Sequence, residues 1–430
     1  MKVAVVGGGV LGIGLALRLQ RDGHDVTLYE AAPGLGGLAS AWTIPVEGGE
    51  PIVWDRHYHV TLTSDTRTRA LLDDLGLGDE LQFSSTGTGY TAGDRLVPVN
   101  GPVDFLKLPG LSLVAKFRLG LTILRGVTIR DRRAMERMSV ETWLRRWSGE
   151  SAYRTFWLPL LRAKLGANHE LASSAFIWST IQRLFKARRS GIAEDQLGWV
   201  RGGYHRVLER AGEVLRERGV ELRLGTPVKA VRGGAVETEA GTDEFDRVVV
   251  TAAAPIASRL CPDLDDREHR LLGGVTYQGI VCASLVLRHA LSPYYLTYIT
   301  DDAAPFTAVV EMTSLVDPAE MGGRTLVYLP KYVLPDDAMF SSTDDEIRDR
   351  FLPYLRTLHP SVGEDDVLAF EVSRVRQVLA VPTIDYSDRE PPIRTSVPGL
   401  FLLSSANVVD GTLNVDETLS LIDRLMEVWT

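Results

Sequence analysis

A chain of 430 residues is long enough for two or three domains of ordinary size and for a large buried core. Its apolar content of 45%, charged content of 24% and net charge of −9 describe a soluble globular protein and argue against general nucleic-acid binding. Two cysteines, Cys261 and Cys282, are too few for a disulfide framework or a cysteine metal site and read as small buried apolar residues. There is no uninterrupted apolar run of about 18 residues to span a bilayer, and a strand begins at once with no leader before it. The expectation is a cytoplasmic protein.

Lys2–Val6 is a short β-branched run that reads as a buried strand. It meets Gly7-Gly8-Gly9-Val10-Leu11-Gly12, after which apolar residues recur at helical spacing through Leu19. A second strand, Asp25–Tyr29, ends on Glu30, 18 residues beyond Gly12. In a strand–glycine–helix–strand–acid order, Gly7 permits a tight turn, Gly9 lets the backbone approach a pyrophosphate and Gly12 lets helix pack against strand. The N–H groups of a helix opening at Val10 and Leu11 suit phosphate, and Glu30 suits the hydroxyls of a ribose. A dinucleotide with a free 2′-hydroxyl is expected, FAD or NAD rather than NADP.

After Glu30 the chain makes a second glycine-rich loop, Pro33-Gly34-Leu35-Gly36-Gly37-Leu38-Ala39-Ser40, able to lie against the same pyrophosphate. The acid followed by Gly36-Gly37 and a small hydroxyl residue, Ser40, resembles the flavoprotein family of amine oxidases, protoporphyrinogen oxidase, phytoene desaturases and UDP-galactopyranose mutase. That resemblance implies FAD. Leu38 stands where many members carry an arginine.

Residues 52–65 read as a strand leading into a helix, Thr66–Leu75, capped near Ser64 or Asp65 and ended by Gly76. His57 and His59 then fall on one strand face, without further ligands for a metal. They are either structural histidines or groups on the flavin or substrate side. The stretch His59–Asp65 is similar to the segment that places a histidine near the flavin in the galactopyranose mutases, which makes His59 the first catalytic candidate. Leu62 replaces those enzymes' second histidine.

From Gly101 to Lys186 the pattern is helical, with cations among large apolar groups at Leu106–Leu108, Leu111–Leu113 and Lys116–Leu119. Two readings stay open: a helical cap over an active site, or a peripheral membrane face admitting a lipid substrate, the less favoured of the two. Ser139 opens a further helix, and Tyr153–Gly166 resembles substrate-domain helices of the family. A helix at Arg206–Gly219 follows Gly202-Gly203-Tyr204, then strands at Val220–Leu224, Pro227–Val231 and Glu244–Ala252. The resemblance implies that Val228 holds the adenine through its backbone.

Strands are expected at Gly279–Leu287, Tyr294–Thr300, Thr307–Glu311, Thr325–Leu329 and Val367–Val375, with a helix at Asp344–Leu358. Lys331 is a second, weaker catalytic candidate by analogy with the water-orienting lysine of amine oxidases. Its alternative is a solvated surface lysine. The stretch Pro398–Asn407 reads as a last buried strand breaking into a loop, with Ser405 to Asn407 where the family has Gly-Asp. The resemblance gives Ser405 and Asn407 that contact, and places Leu413-Asn414 at the helix start facing the flavin.

The fold expected is α/β: a Rossmann-like, discontinuous FAD-binding domain (1–82, 196–260, 386–430) with a mixed α+β substrate domain. The latter has a helical part (83–195) and a β-sheet part (261–385). The function expected is an FAD-dependent oxidoreductase of oxidase or desaturase type, moving a hydride from a small organic substrate to flavin N5. The alternatives are a non-redox nucleotide-sugar mutase, which would use arginines such as Arg162, Arg183 and Arg201 for a diphosphate, and a lipid-chain carrier. Oligomeric state is left open.

Overall fold

The computed structural model describes residues 1–93, 95–100, 104, 107–188, 196–409 and 412–429. Gly101 and Leu106 of the expected helical stretch, and Asp410 and Gly411 before the last helix, lie outside the described residues. The chain runs β1 (Lys2–Val6), α1 (Val10–Arg21), β2 (Asp25–Tyr29), β3 (Ala41–Ile44), β4 (Ile52–Asp55), β5 (Thr61–Leu62), α2 (Thr66–Asp74), β6 (Leu81–Ser85), β7 (Gly87–Ala92) and β8 (Arg95–Pro98). Helices α3 (Leu113–Thr128), α4 (Val140–Ser148), α5 (Leu158–Leu165) and α6 (Ser174–Arg188) follow. Then come β9 (Gln196–Val200), α7 (Gly203–Glu217), β10 (Glu221–Arg223), β11 (Ala230–Arg232), β12 (Ala235–Glu237), β13 (Thr242–Glu244) and β14 (Arg247–Val250). The chain ends with β15 (Tyr277–Leu287), β16 (Tyr294–Tyr298), β17 (Ala308–Glu311), β18 (Thr325–Val333), α8 (Asp344–Leu358), β19 (Val367–Ala380), β20 (Leu400–Leu402) and α9 (Val415–Glu427).

The first sheet is parallel throughout, in the order β10-β2-β1-β14-β20. Its strands are apolar on both faces because both faces are covered. Val3 and Val5 of β1 point into a cluster with Leu15 and Leu19 of α1, Val207 and Leu215 of α7, and Leu421 and Leu425 of α9. Ala4 and Val6 alternate to the opposite cluster, with Val248, Val250 and Leu402. Successive connections leave β1 toward β2 on one side and toward β14 on the other, which opens a crevice at the strands' C-terminal ends.

The second sheet has seven strands, ordered β19-β15-β18-β17-β16-β7-β8. All eleven residues of β15 are buried, because both faces of this sheet are packed as well. One face carries Val327, Leu329 and Val333 against Ile347, Phe351 and Leu355 of α8. The other carries Leu326, Tyr328 and Tyr332 beside Trp54, Ile44 and Cys282. A fifth apolar cluster joins α3 to α6 through Leu119, Trp143, Leu144, Trp157 and Phe176. No helix among the described residues is long and apolar enough to cross a membrane.

The local readings need four corrections. Gly87–Ala92 and Arg95–Pro98, expected within the helical part, are strands: β7 and β8 extend the second sheet, with β7 parallel to β16. Their alternating apolar residues are too few to announce a pairing made some two hundred residues away. The expected continuous strand over 52–65 is interrupted after Asp55, whose carboxylate accepts the N–H of Tyr204 (2.8 Å) at the start of α7 while its carbonyl accepts the Tyr328 hydroxyl (2.6 Å). Pairing with the next strand cannot continue through a residue so committed. Strand β11 begins at Ala230, so Val228 lies in the preceding loop. Strand β18 runs on to Val333 and takes Lys331 into the sheet.

Candidate functional site

The crevice at the C-terminal edge of the first sheet is built by backbone. Gly7 leaves β1 with φ +120°, and a Cβ there would meet Thr251 Oγ1 at 2.4 Å. Thr251, next after β14, donates its hydroxyl to the carbonyls of Val6 (3.1 Å) and Gly7 (3.2 Å). A Cβ on Gly12 would lie 1.9 Å from the Gly7 carbonyl oxygen, so only glycine lets α1 start this close to the strand. Helix α1 opens at Val10 with no side-chain cap and no acid in its first turn. Its leading N–H groups, from Val10 through Gly12, therefore face the crevice as donors to an anion.

The second glycine loop closes over the first. Gly36 donates its N–H to the Gly8 carbonyl (2.8 Å), and Gly9 pairs with Gly36 as an isolated parallel bridge. A Cβ on Gly37 would come within 3.2 Å of the Gly9 Cα. Glu30 ties the two together: its carboxylate accepts the N–H of Gly8 (2.7 Å) on one oxygen and of Ala32 (2.8 Å) on the other. Each oxygen keeps acceptor capacity for a further donor. Val228 lies two residues after Thr226, whose N–H reaches the Glu30 carbonyl (2.9 Å), and packs against the cluster of Ala4 and Val6.

Beyond Leu38 the crevice meets the second sheet. The carbonyl of Leu38 faces His57 Nδ1 (3.4 Å), and Ser373 Oγ of β19 lies 3.2 Å from His57 Nε2. A carbonyl can only accept, so Nδ1 carries the proton and Nε2 accepts from the serine. Burial, and then the neighbouring His59, push the His57 pKa down to about 4, leaving a neutral imidazole at neutral pH. The adjacent Tyr58 shares a hydrogen bond with Tyr332 (3.2 Å), and Lys164 Nζ of α5 donates to the Tyr332 oxygen (3.0 Å). Burial and the second phenol hold Tyr58 well above the usual phenol range, so it stays protonated. An ammonium, two phenols and a neutral imidazole thus line the seam between the glycine loops and the second sheet.

Residues 12–412 match the family model described as flavin containing amine oxidoreductase. The chain belongs to the flavin-containing amine oxidoreductase family. It is 24% identical to the zeta-carotene desaturase of Synechocystis sp. over 94% of this chain and 92% of that one. Among solved structures it resembles putrescine oxidase bound to putrescine, with a TM-score of 0.73 and 17% identity over 100% of this chain and 99% of that one. It also resembles reduced UDP-galactopyranose mutase, with a TM-score of 0.73 and 14% identity over 99% and 94%. These likenesses to solved structures establish the α/β fold of FAD-dependent amine oxidases. As a member of this family the protein is an FAD-dependent oxidoreductase.

The residues present fit that cofactor: two interlocked glycine turns, a free helix N-terminus and an acid with unused acceptor capacity converge within one crevice. Gly7, Gly9, Val10, Leu11, Gly12, Glu30, Gly36, Gly37, Leu38 and Val228 are brought together there. Ser405 follows β20 at the same edge of the sheet. Asn414 caps α9, accepting the Glu417 N–H (3.0 Å), and Leu413 packs against the helical cluster. Asn407 is turned away: its amide donates to Glu390 (2.9 Å) and the Pro391 carbonyl (3.0 Å) and accepts the Ser404 N–H (3.0 Å). It holds the chain end and is not a free cofactor ligand.

Of the two catalytic candidates, Lys331 stands away from the seam, and His59 lies beside His57 but turns its ring toward another pocket. Lys331 shares the face of Val327, Leu329 and Val333, opposite to Tyr332, and donates to the Ala304 carbonyl (2.9 Å) near Arg350 and Tyr354 of α8. Burial, then Arg350, lower its pKa. His59 lies in a small enclosed pocket with Trp54, Leu72 and Tyr204, its Nδ1 3.7 Å from Asp55 and its ring 5.0 Å from that of Tyr204. Of the seam residues, His57 was legible as one of the histidine pair, whereas Tyr58, Lys164 and Tyr332 were not singled out by motif. The available signal was the i, i+4 pair Tyr328 and Tyr332 on one strand face.

Proposed function

We infer that the protein abstracts a hydride from a small organic substrate in the oxidase or desaturase manner, at the seam of the two sheets. Bound FAD supplies the hydride acceptor, N5, and is held by the glycine turns, the N-terminus of α1 and Glu30. The chain's own groups bind, orient and exclude water. His57, neutral and fixed between Leu38 and Ser373, holds the seam together with its proton on Nδ1. Tyr332 accepts from Lys164 and offers its proton toward Tyr58, so the pair presents oriented phenols to a substrate without placing a carboxylate there.

One observation carries the reading against the mutase alternative. Two of the arginines available for a diphosphate are spent on carboxylates: Arg183 pairs with Asp65 (2.9 Å) and Arg162 with Asp302. Arg201 is exposed. The end-to-end resemblance to a desaturase supports the same side. The test is anaerobic mixing of the FAD-loaded protein with carotenes, amines, porphyrinogens and nucleotide sugars. Bleaching of the flavin band by one of the first three is the expected result. Conversion of a nucleotide sugar by pre-reduced protein, with no substrate bleaching the oxidised form, would overturn it.

A further inference from the structure

Helix α3 wears its apolar residues on the wrong side for a solvated helix. Its inner face is formed by Ala115, Leu119, Thr122 and Gly126, buried against α4 and α6. The outer face carries Leu113, Val114, Phe117, Leu121 and Leu124, which are 77, 70, 67, 45 and 59% exposed. At about 100° per residue these five fall within a single arc of about 100°, and at about 1.5 Å per residue they run along roughly 16 Å of helix. A stripe this continuous is unlike scattered surface apolar residues.

The surroundings name the occupant. Residues 107–154 hold eleven Lys and Arg against four Asp and Glu, a net +7 within a chain of net −9. The cations flanking the stripe have neutral partners. Arg118 donates to the carbonyls of Arg146 (3.0 Å) and Trp147 (3.1 Å), while the guanidinium carbons of Arg125 and Arg146 lie 5.4 and 5.9 Å from the Trp147 ring centroid. Trp147 is itself part-exposed at the rim, the place an indole takes at a lipid headgroup boundary. A second copy of the chain would set this basic region against itself. An anionic surface with an apolar interior matches both the stripe and the charge.

We propose that α3 docks the protein onto an anionic lipid surface, lying in the interface with Phe117 and its neighbours in the acyl boundary and Arg118, Arg125 and Arg146 among the headgroups. The helix lies on the membrane and does not cross it.

The test is co-sedimentation of the FAD-loaded full chain with vesicles of phosphatidylglycerol and phosphatidylcholine in equal parts, and with phosphatidylcholine alone. Binding at least about tenfold stronger to the anionic vesicles is expected, weakened by salt. The double variant Phe117→Glu, Leu124→Glu should lose it while keeping the wild-type melting temperature and flavin spectrum, since both side chains are exposed. Arg125→Gln should weaken binding about fivefold. Equal partition of wild type and double variant would overturn the proposal. So would a wild-type dimer in sedimentation velocity that the double variant abolishes, with no vesicle binding by either.

Discussion

Replacing Glu30 by alanine separates two things that one carboxylate does. In the protein it accepts the N–H of Gly8 and of Ala32, at 2.7 and 2.8 Å. Gly8 is buried, so its N–H loses a charged acceptor without ready access to water, at a cost of about 1–3 kcal/mol to the folded chain. The N–H of Ala32 is exposed and recovers most of its bond from solvent. Toward the cofactor the loss is separate. A charged hydrogen bond to a ribose hydroxyl contributes about 1.5–3 kcal/mol, which is about 10- to 150-fold in Kd. Titration of the apo-variant with FAD, followed by quenching of flavin fluorescence, should show that weakening. Urea unfolding of the apo-protein should show the smaller, independent loss. A Kd for FAD within about twofold of wild type would refute the placement of the ribose at Glu30, whatever the unfolding curve does.

Gly12→Ala, whose Cβ would sit 1.9 Å from the Gly7 oxygen, should give a chain that takes up no FAD, read from the absorbance of the purified protein. His57→Ala should slow flavin reduction at least about tenfold and shift the flavin spectrum, whereas His59→Ala should lower the melting temperature and leave both unchanged; the reverse pattern would restore His59 to the site. The His57 pKa of about 4 lies below the ordinary 6.5, so its contribution to stability is present above about pH 6.5 and lost as pH falls toward 4. That loss is about 2 kcal/mol between about pH 7 and pH 5, and urea unfolding of His57→Gln should be less steep in pH by that amount. Lys331→Met, on the α8 side of the second sheet, should leave reduction rates within about twofold of wild type, and a larger drop would place the lysine in the reaction.

What the sequence determined by itself is the part of the protein made by neighbours in the chain. Gly7, Gly9, Gly12, Glu30 and the pair Gly36-Gly37 lie within some thirty residues, and their contacts are backbone geometry that only glycine permits, so the spacing alone specifies them. The helix Asp344–Leu358 was legible to the residue because its capping pair, Thr343 and Glu346, is local too.

The seam is different. Nothing near residues 56–60 marks the end of β4, because the groups that end it, Tyr204 and Tyr328, arrive from about 150 and 270 residues away. Asn407 reads as a cofactor ligand until Glu390 folds against it. Alternation along β18 puts Lys331 and Tyr332 on opposite faces whatever their neighbours, yet which face meets the glycine loops depends on α8 covering one and on β3 and β4 covering the other. Long-range packing assigned His57, Tyr58, Lys164 and Tyr332 to the seam; the composition of each local stretch carries no record of its distant partner.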